Sequence, residues 1–158
     1  MWRIEKTNID LHELGTLANW MVKSLPQQVT IGITGTLGAG KTTLVQLLSA
    51  AAGIDRAGVT SPTFTLLHTH RGSLTIHHLD AYRVADEHEF LELGVEELFE
   101  DKAWTVIEWA DRVETVLPGE TLWISLEPLK QSDRRKITFS STRMDLKAIF
   151  EGRFNGGV

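Results

Sequence analysis

Gly35-Thr36-Leu37-Gly38-Ala39-Gly40-Lys41-Thr42 is the stretch that decides the fold of this chain. Glycine, four residues, then Gly-Lys-Thr is the phosphate-binding loop pattern. Its surroundings agree with it. Val29 to Ile33 is a short β-branched run that predicts a buried strand, and Thr43 to Ala52 predicts a helix ending at Gly53. Small residues let the backbone wrap a phosphate closely, so the amides around Gly38, Ala39 and Gly40 can point inward at it. The helix that starts near Gly40 presents unpaired N–H groups and the positive end of its dipole to the same anion. In this reading Lys41 holds the β- and γ-phosphates, the Thr42 hydroxyl ligates magnesium, and Thr43 bonds the α-phosphate. The expected ligand is a nucleoside triphosphate with Mg2+.

The remaining sequence surrounds this loop with one ordinary domain. At 158 residues, with 42% hydrophobic and 23% charged residues, the composition is that of a water-soluble globular fold. No apolar stretch exceeds strand length, and Met1 to Lys6 has no apolar signal core. The chain has no cysteine, which rules out disulfides and thiolate metal sites and makes the cytosol the expected compartment. A net charge of −5 argues against a broad grip on nucleic acid. The dense basic run, Arg134-Arg135-Lys136, is expected to be a solvated strand edge.

Apolar residues from Leu11 to Leu25 fall on one face and predict a helix over 10–25, stopped by Pro26. Strands are expected over 63–70 and 74–80 as a hairpin through Arg71-Gly72-Ser73, over 104–108, over 121–129 and over 136–140. The acidic segment 86–101 has a helical pattern broken at Gly94. Short helices are expected over 110–117 and 143–150, with a frayed tail over 151–158. The fold class is therefore α/β: a single phosphate-binding-loop domain over 1–150 with a mixed parallel and antiparallel sheet flanked by helices.

Such a loop needs an acid at the end of a neighbouring strand to organise magnesium. Two strands end in one, Thr75 to Asp80 and Trp104 to Glu108, and each acid fits either metal ligation or orientation of a water. Ser61-Pro62-Thr63-Phe64 lies where switch segments sense a γ-phosphate, and Pro62 holds Ser61 extended. His68, His70, His77 and His78 lack a known zinc-ligand spacing, and His78 is better read as orienting the adjacent acidic site. A small-molecule kinase shares the loop and the strand-end acid, but the acidic segment 86–101 makes a poor lid over an anionic acceptor. The guanine-reading Asn/Thr-Lys-x-Asp motif of GTPases is absent.

The series Gly35 to Thr43, Ser61-Pro62-Thr63-Phe64, His78-Leu79-Asp80-Ala81-Tyr82-Arg83 and Glu108-Trp109-Ala110-Asp111-Arg112 resembles the bacterial TsaE family, also called YjeE. The matching residues lie between Ile33 and Arg112, and the His-x-Asp-x-Tyr-Arg and Glu-Trp-x-Asp elements are the particular ones. The resemblance implies an ATPase of tRNA threonylcarbamoyladenosine biosynthesis that acts with the TsaB and TsaD proteins in the cytoplasm and reaches tRNA through that complex. It also implies roles. Lys41 holds phosphates, Thr42 and Glu108 organise magnesium, and Asp80 polarises the attacking water or supports the metal from behind its ligands. Thr63 belongs to the switch over the γ-phosphate, and Trp109 packs near the nucleotide or the partner. Tyr82 and Arg83 are either strand-end anchors or site residues, Arg83 being suited to spread phosphate charge.

Overall fold

The computed structural model describes residues 1–62, 66–130 and 132–155. A seven-stranded sheet carries the fold, in the order β1-β7-β6-β2-β5-β4-β3. The strands are β1 (Trp2–Ile9), β2 (Val29–Gly35), β3 (Leu67–Arg71), β4 (Thr75–Asp80), β5 (Trp104–Glu108), β6 (Leu122–Pro128) and β7 (Arg135–Ser141). Strands β6, β2, β5 and β4 form a parallel centre. Strand β3 pairs antiparallel with β4 at one side, and β7 and β1 continue antiparallel at the other. The mixed sheet expected from the hairpin and the late strands is what forms.

Helices cover both faces. Helix α1 (Leu11–Ser24) begins at Asp10, whose carboxylate accepts from the Glu13 amide, and α2 (Lys41–Ala51) packs beside it. Helix α5 (Met144–Phe154) completes that layer, over a core built on Ile31, Ile33, Leu44, Leu48, Trp104, Val106, Ile124 and Phe139. Helices α3 (Glu87–Leu91) and α4 (Val95–Glu100), separated at Gly94 as expected, lie on the other face with a 3-10 helix over Ala110–Val116. They bury Leu79, Phe90, Val95, Ile107 and Val113. No helix among the described residues is long and apolar enough to cross a membrane.

One strand, one placement and three boundaries differ from the sequence reading. Strand β1 was not expected, because its inward positions are the modest alternation Trp2, Ile4, Lys6, with partial burial. Its pairing with β7, Trp2 opposite Ser141 and Ile4 opposite Phe139, makes β7 an interior strand. The basic run is thus not a solvated edge. Arg134 lies 3.5 Å from Glu13, Lys136 lies 3.1 Å from Glu127, and Arg135 turns toward Ala39. Helix α5 runs through Phe154 rather than fraying after Phe150, because Phe154 stacks against Phe139 and meets Trp20 edge-on at 5.9 Å. Helix α2 starts at Lys41, two residues before the expected Thr43, since Gly40 with φ 102° already turns the chain into the helix. Strand β3 begins at Leu67, and Thr63 to Thr65 of the expected strand lie outside the described residues.

Candidate functional site

Register sets the site. In the parallel centre Ile33 stands opposite Glu108, and Glu108 opposite Asp80, so β5 and β4 finish level with each other beside Ile33 of β2, which runs two residues further to Gly35. Alternation then fixes the faces. Glu108 shares its face with Trp104 and Val106, and Asp80 and His78 share theirs with Ile76. Those apolar residues belong to the core beneath α1 and α2. Helix α2 therefore rests over both acids, and its first turn delivers Thr42 to them.

The contacts are short and the acids are buried. Thr42 Oγ1 donates to Glu108 Oε1 at 2.7 Å. Glu108 Oε2 lies 2.6 Å from His78 Nε2. Asp80 is held separately: Ser61 donates from Oγ to Oδ2 at 2.6 Å, and the Tyr82 amide donates to Oδ1 at 2.8 Å. Asp80 and Glu108 are each only 2% exposed. Carboxylates so far from water need donors to hold them, and the Thr42 and Ser61 hydroxyls, the Tyr82 amide and the His78 ring supply them.

Lys41 is turned inward. Its Nζ donates to the carbonyls of Gly35 and Thr36 at 2.7 and 2.8 Å and sits 3.8 Å from the centre of the Trp109 ring. Burial pulls its pKa below the ordinary lysine value, against the opposing pull of Glu108, Asp111 and Asp80. Trp109 holds a left-handed backbone, φ 58°, which aims the indole across the loop rather than along β5. Tyr82 lies against it at 4.8 Å, and the Arg112 guanidinium covers Tyr82 at 5.2 Å.

These groups line one cleft of about 420 Å³ that contains Gly38, Gly40, Lys41, Thr42, Thr43, Asp80, Glu108 and Trp109, with Leu37, Ser61 and Tyr82. Most residues singled out from the sequence therefore meet there. Ala39 does not line it; it is buried and its carbonyl accepts from Arg135 Nη1 at 3.4 Å on the loop's other side. Arg83 is exposed and also stands outside the cleft. Thr63 lies outside the described residues. A larger hollow of about 720 Å³, lined by Pro26, Gln28, Phe99 and Arg143 among others, opens at the far end of the strands and holds none of these groups. Among the described residues no cluster of three or more His, Cys, Asp or Glu side chains is arranged to hold a metal ion.

Two contacts escaped the sequence reading. The sequence places Ser61 in a switch segment held extended by Pro62, but its bond to Asp80 spans 19 residues. Arg135 reaches the phosphate-binding loop across 96 residues, with no local pattern to announce it.

The family comparisons agree with this architecture. The profile described as "Threonylcarbamoyl adenosine biosynthesis protein TsaE" matches residues 9–137. The chain is 40% identical over 110 residues to the tRNA threonylcarbamoyladenosine biosynthesis protein TsaE of Treponema pallidum, covering 70% of this chain and 81% of that protein. It is also 40% identical over 110 residues to the Bacillus subtilis protein of the same name, covering 69% and 67%. The crystal structure of Bacillus subtilis YdiB superposes with a TM-score of 0.79 at 25% identity, over 99% of this chain and 97% of that one. With the profile spanning most of the sheet and the phosphate-binding loop inside it, the chain belongs to the TsaE family of threonylcarbamoyladenosine biosynthesis proteins.

Proposed function

We propose that this chain binds and hydrolyses magnesium-ATP and, together with the TsaB and TsaD proteins, supports threonylcarbamoylation of tRNA adenosine in the cytoplasm. The observation that carries the reading is the Thr42–Glu108 contact at the mouth of the loop, 2.7 Å long. Both atoms are hard oxygen donors of the kind magnesium takes. Adjacent ligands of an octahedral magnesium stand about 2.9 Å apart for bonds of about 2.0–2.1 Å, so the pair is spaced as two such ligands. Magnesium bound there would neutralise charge on the terminal phosphates.

The other residues act around that pair. Lys41 exchanges the carbonyls of Gly35 and Thr36 for phosphate oxygens when a nucleotide arrives, and the loop amides with the α2 N-terminus receive the rest of the charge. Asp80 accepts from Ser61 on one oxygen and from the Tyr82 amide on the other, which fixes the carboxylate in the orientation from which it would polarise a water. A catalytic group supplied by the partners would account for slow turnover by the isolated chain, since one missing group can cost roughly a thousandfold.

The test is phosphate release from magnesium-ATP by the chain alone and with purified TsaB and TsaD. Stimulation by the pair, abolished by Lys41→Ala, is the expected result. ATP binding with no stimulation would refute the partner-dependent part of the proposal.

A further inference from the structure

We propose that His78 is the positioning residue of Glu108: it pins one carboxylate oxygen so that the other stays aimed at Thr42 and the cation between them. The proposal rests on the reading of Glu108 as a magnesium ligand. Its own evidence lies behind the cleft, among groups that the ATPase reading leaves without a task.

His78 is fully buried in β4, two residues before Asp80 and in register with Val106 of β5 on one side and His68 of β3 on the other. The ring is thus fixed by paired backbone on both flanks. Its Nε2 lies 2.6 Å from Glu108 Oε2. A carboxylate oxygen only accepts, so Nε2 carries the hydrogen and donates. The other nitrogen, Nδ1, is buried with no partner among the described residues. The bond to Glu108 is therefore the ring's one hydrogen bond among the described residues, and it sets what the imidazole holds in place.

That choice of group has a consequence for cation binding. The imidazole N–H takes one oxygen of Glu108 and leaves the other facing Thr42, where a cation would be held. Donors placed behind metal ligands act in this way in general, and their loss costs about 10- to 100-fold in metal affinity. The arrangement also keeps the two acids apart: Glu108 takes Thr42 and His78, and Asp80 takes Ser61 and the Tyr82 amide, with no shared donor among these bonds.

The experiment titrates the full chain with Mg2+ in the presence of a fluorescent ATP analogue and reads the half-saturating magnesium concentration. A parallel titration of the analogue in EDTA reads metal-free nucleotide binding. His78→Leu removes the donor, His78→Asn keeps an amide too short to reach Glu108, and His78→Gln places an amide nitrogen close to the position of Nε2. The proposal expects Leu and Asn to raise the half-saturating magnesium by about 10-fold or more. It expects Gln to restore most of the parent's value, and all variants to bind the analogue in EDTA as the parent does. If His78→Leu fails to fold, the Gln and Asn pair decides. Variants that titrate with magnesium like the parent, or that lose binding equally in EDTA, overturn the proposal. A parent whose nucleotide binding ignores magnesium overturns the metal reading itself, and this proposal with it.

Discussion

Replacing Gly40 by alanine separates two costs that the structure places at one residue. Gly40 caps α2 with φ 102° and ψ 21°, beyond the usual left-handed well of residues that carry a Cβ. Holding alanine there costs about 1–3 kcal/mol. The new methyl would also collide with the Arg135 guanidinium. That guanidinium is the end of a flexible side chain, so it moves aside and forfeits its bond to the Ala39 carbonyl, 3.4 Å long and worth at most about 1 kcal/mol. The sum is a loss of about 1–4 kcal/mol. For a domain of this size it lowers Tm by roughly 2–16 °C. Urea denaturation of the parent, Gly40→Ala, Arg135→Ala and the double variant measures it. The backbone term dominates this reasoning, so the double variant should remain almost as unstable as Gly40→Ala. Full recovery in the double variant would show that the collision, not the φ angle, sets the cost. A Gly40→Ala protein within about 0.5 kcal/mol of the parent would refute both parts.

Three further outcomes follow from the site and the histidines. Lys41→Ala should weaken ATP binding at least about a hundredfold, because charge-assisted bonds to phosphate contribute about 1.5–3 kcal/mol each, and a calorimetric titration measures it. Asp80→Ala should still bind ATP but lose partner-stimulated hydrolysis; unchanged phosphate release with TsaB and TsaD present would leave Asp80 a structural residue. Burial, with His78 and His68 nearby, holds the His70 imidazole below the ordinary histidine pKa. The unfolded chain then takes up this proton first as pH falls, so stability declines from about pH 6.5 downward, and His70→Asn should flatten that part of a pH series of urea melts.

What was legible in the sequence is what local pattern encodes. The loop from Gly35 to Thr42, the strand from Trp104 to Glu108 and the break at Gly94 are all set by neighbours within a few residues, through backbone freedom, alternation and burial on both faces. Strand β1 escaped because its pattern is weak until β7 is beside it: Lys6 reads as a surface charge, yet its ammonium lies 4.8 Å from the Phe154 ring, a residue near the other end of the chain. The same reasoning separates the site into two parts. That Asp80 and Glu108 each end a strand was readable; that they end level, with Thr42 against one and Ser61 against the other, depends on the pairing of β2, β5 and β4. Residues that act on the loop from afar, Arg135 above all, had no signal to offer, because a guanidinium 96 residues away becomes part of the loop only when β7 is placed. Register therefore divides the labour between the acids. Two carboxylates at adjacent strand ends would compete for one donor, and each instead has its own hydroxyl, from α2 for Glu108 and from the segment before β3 for Asp80. A change in that segment thus reaches Asp80 first and leaves Glu108 seated on α2, so the metal binding proposed for Glu108 and the water orientation proposed for Asp80 can be lost separately.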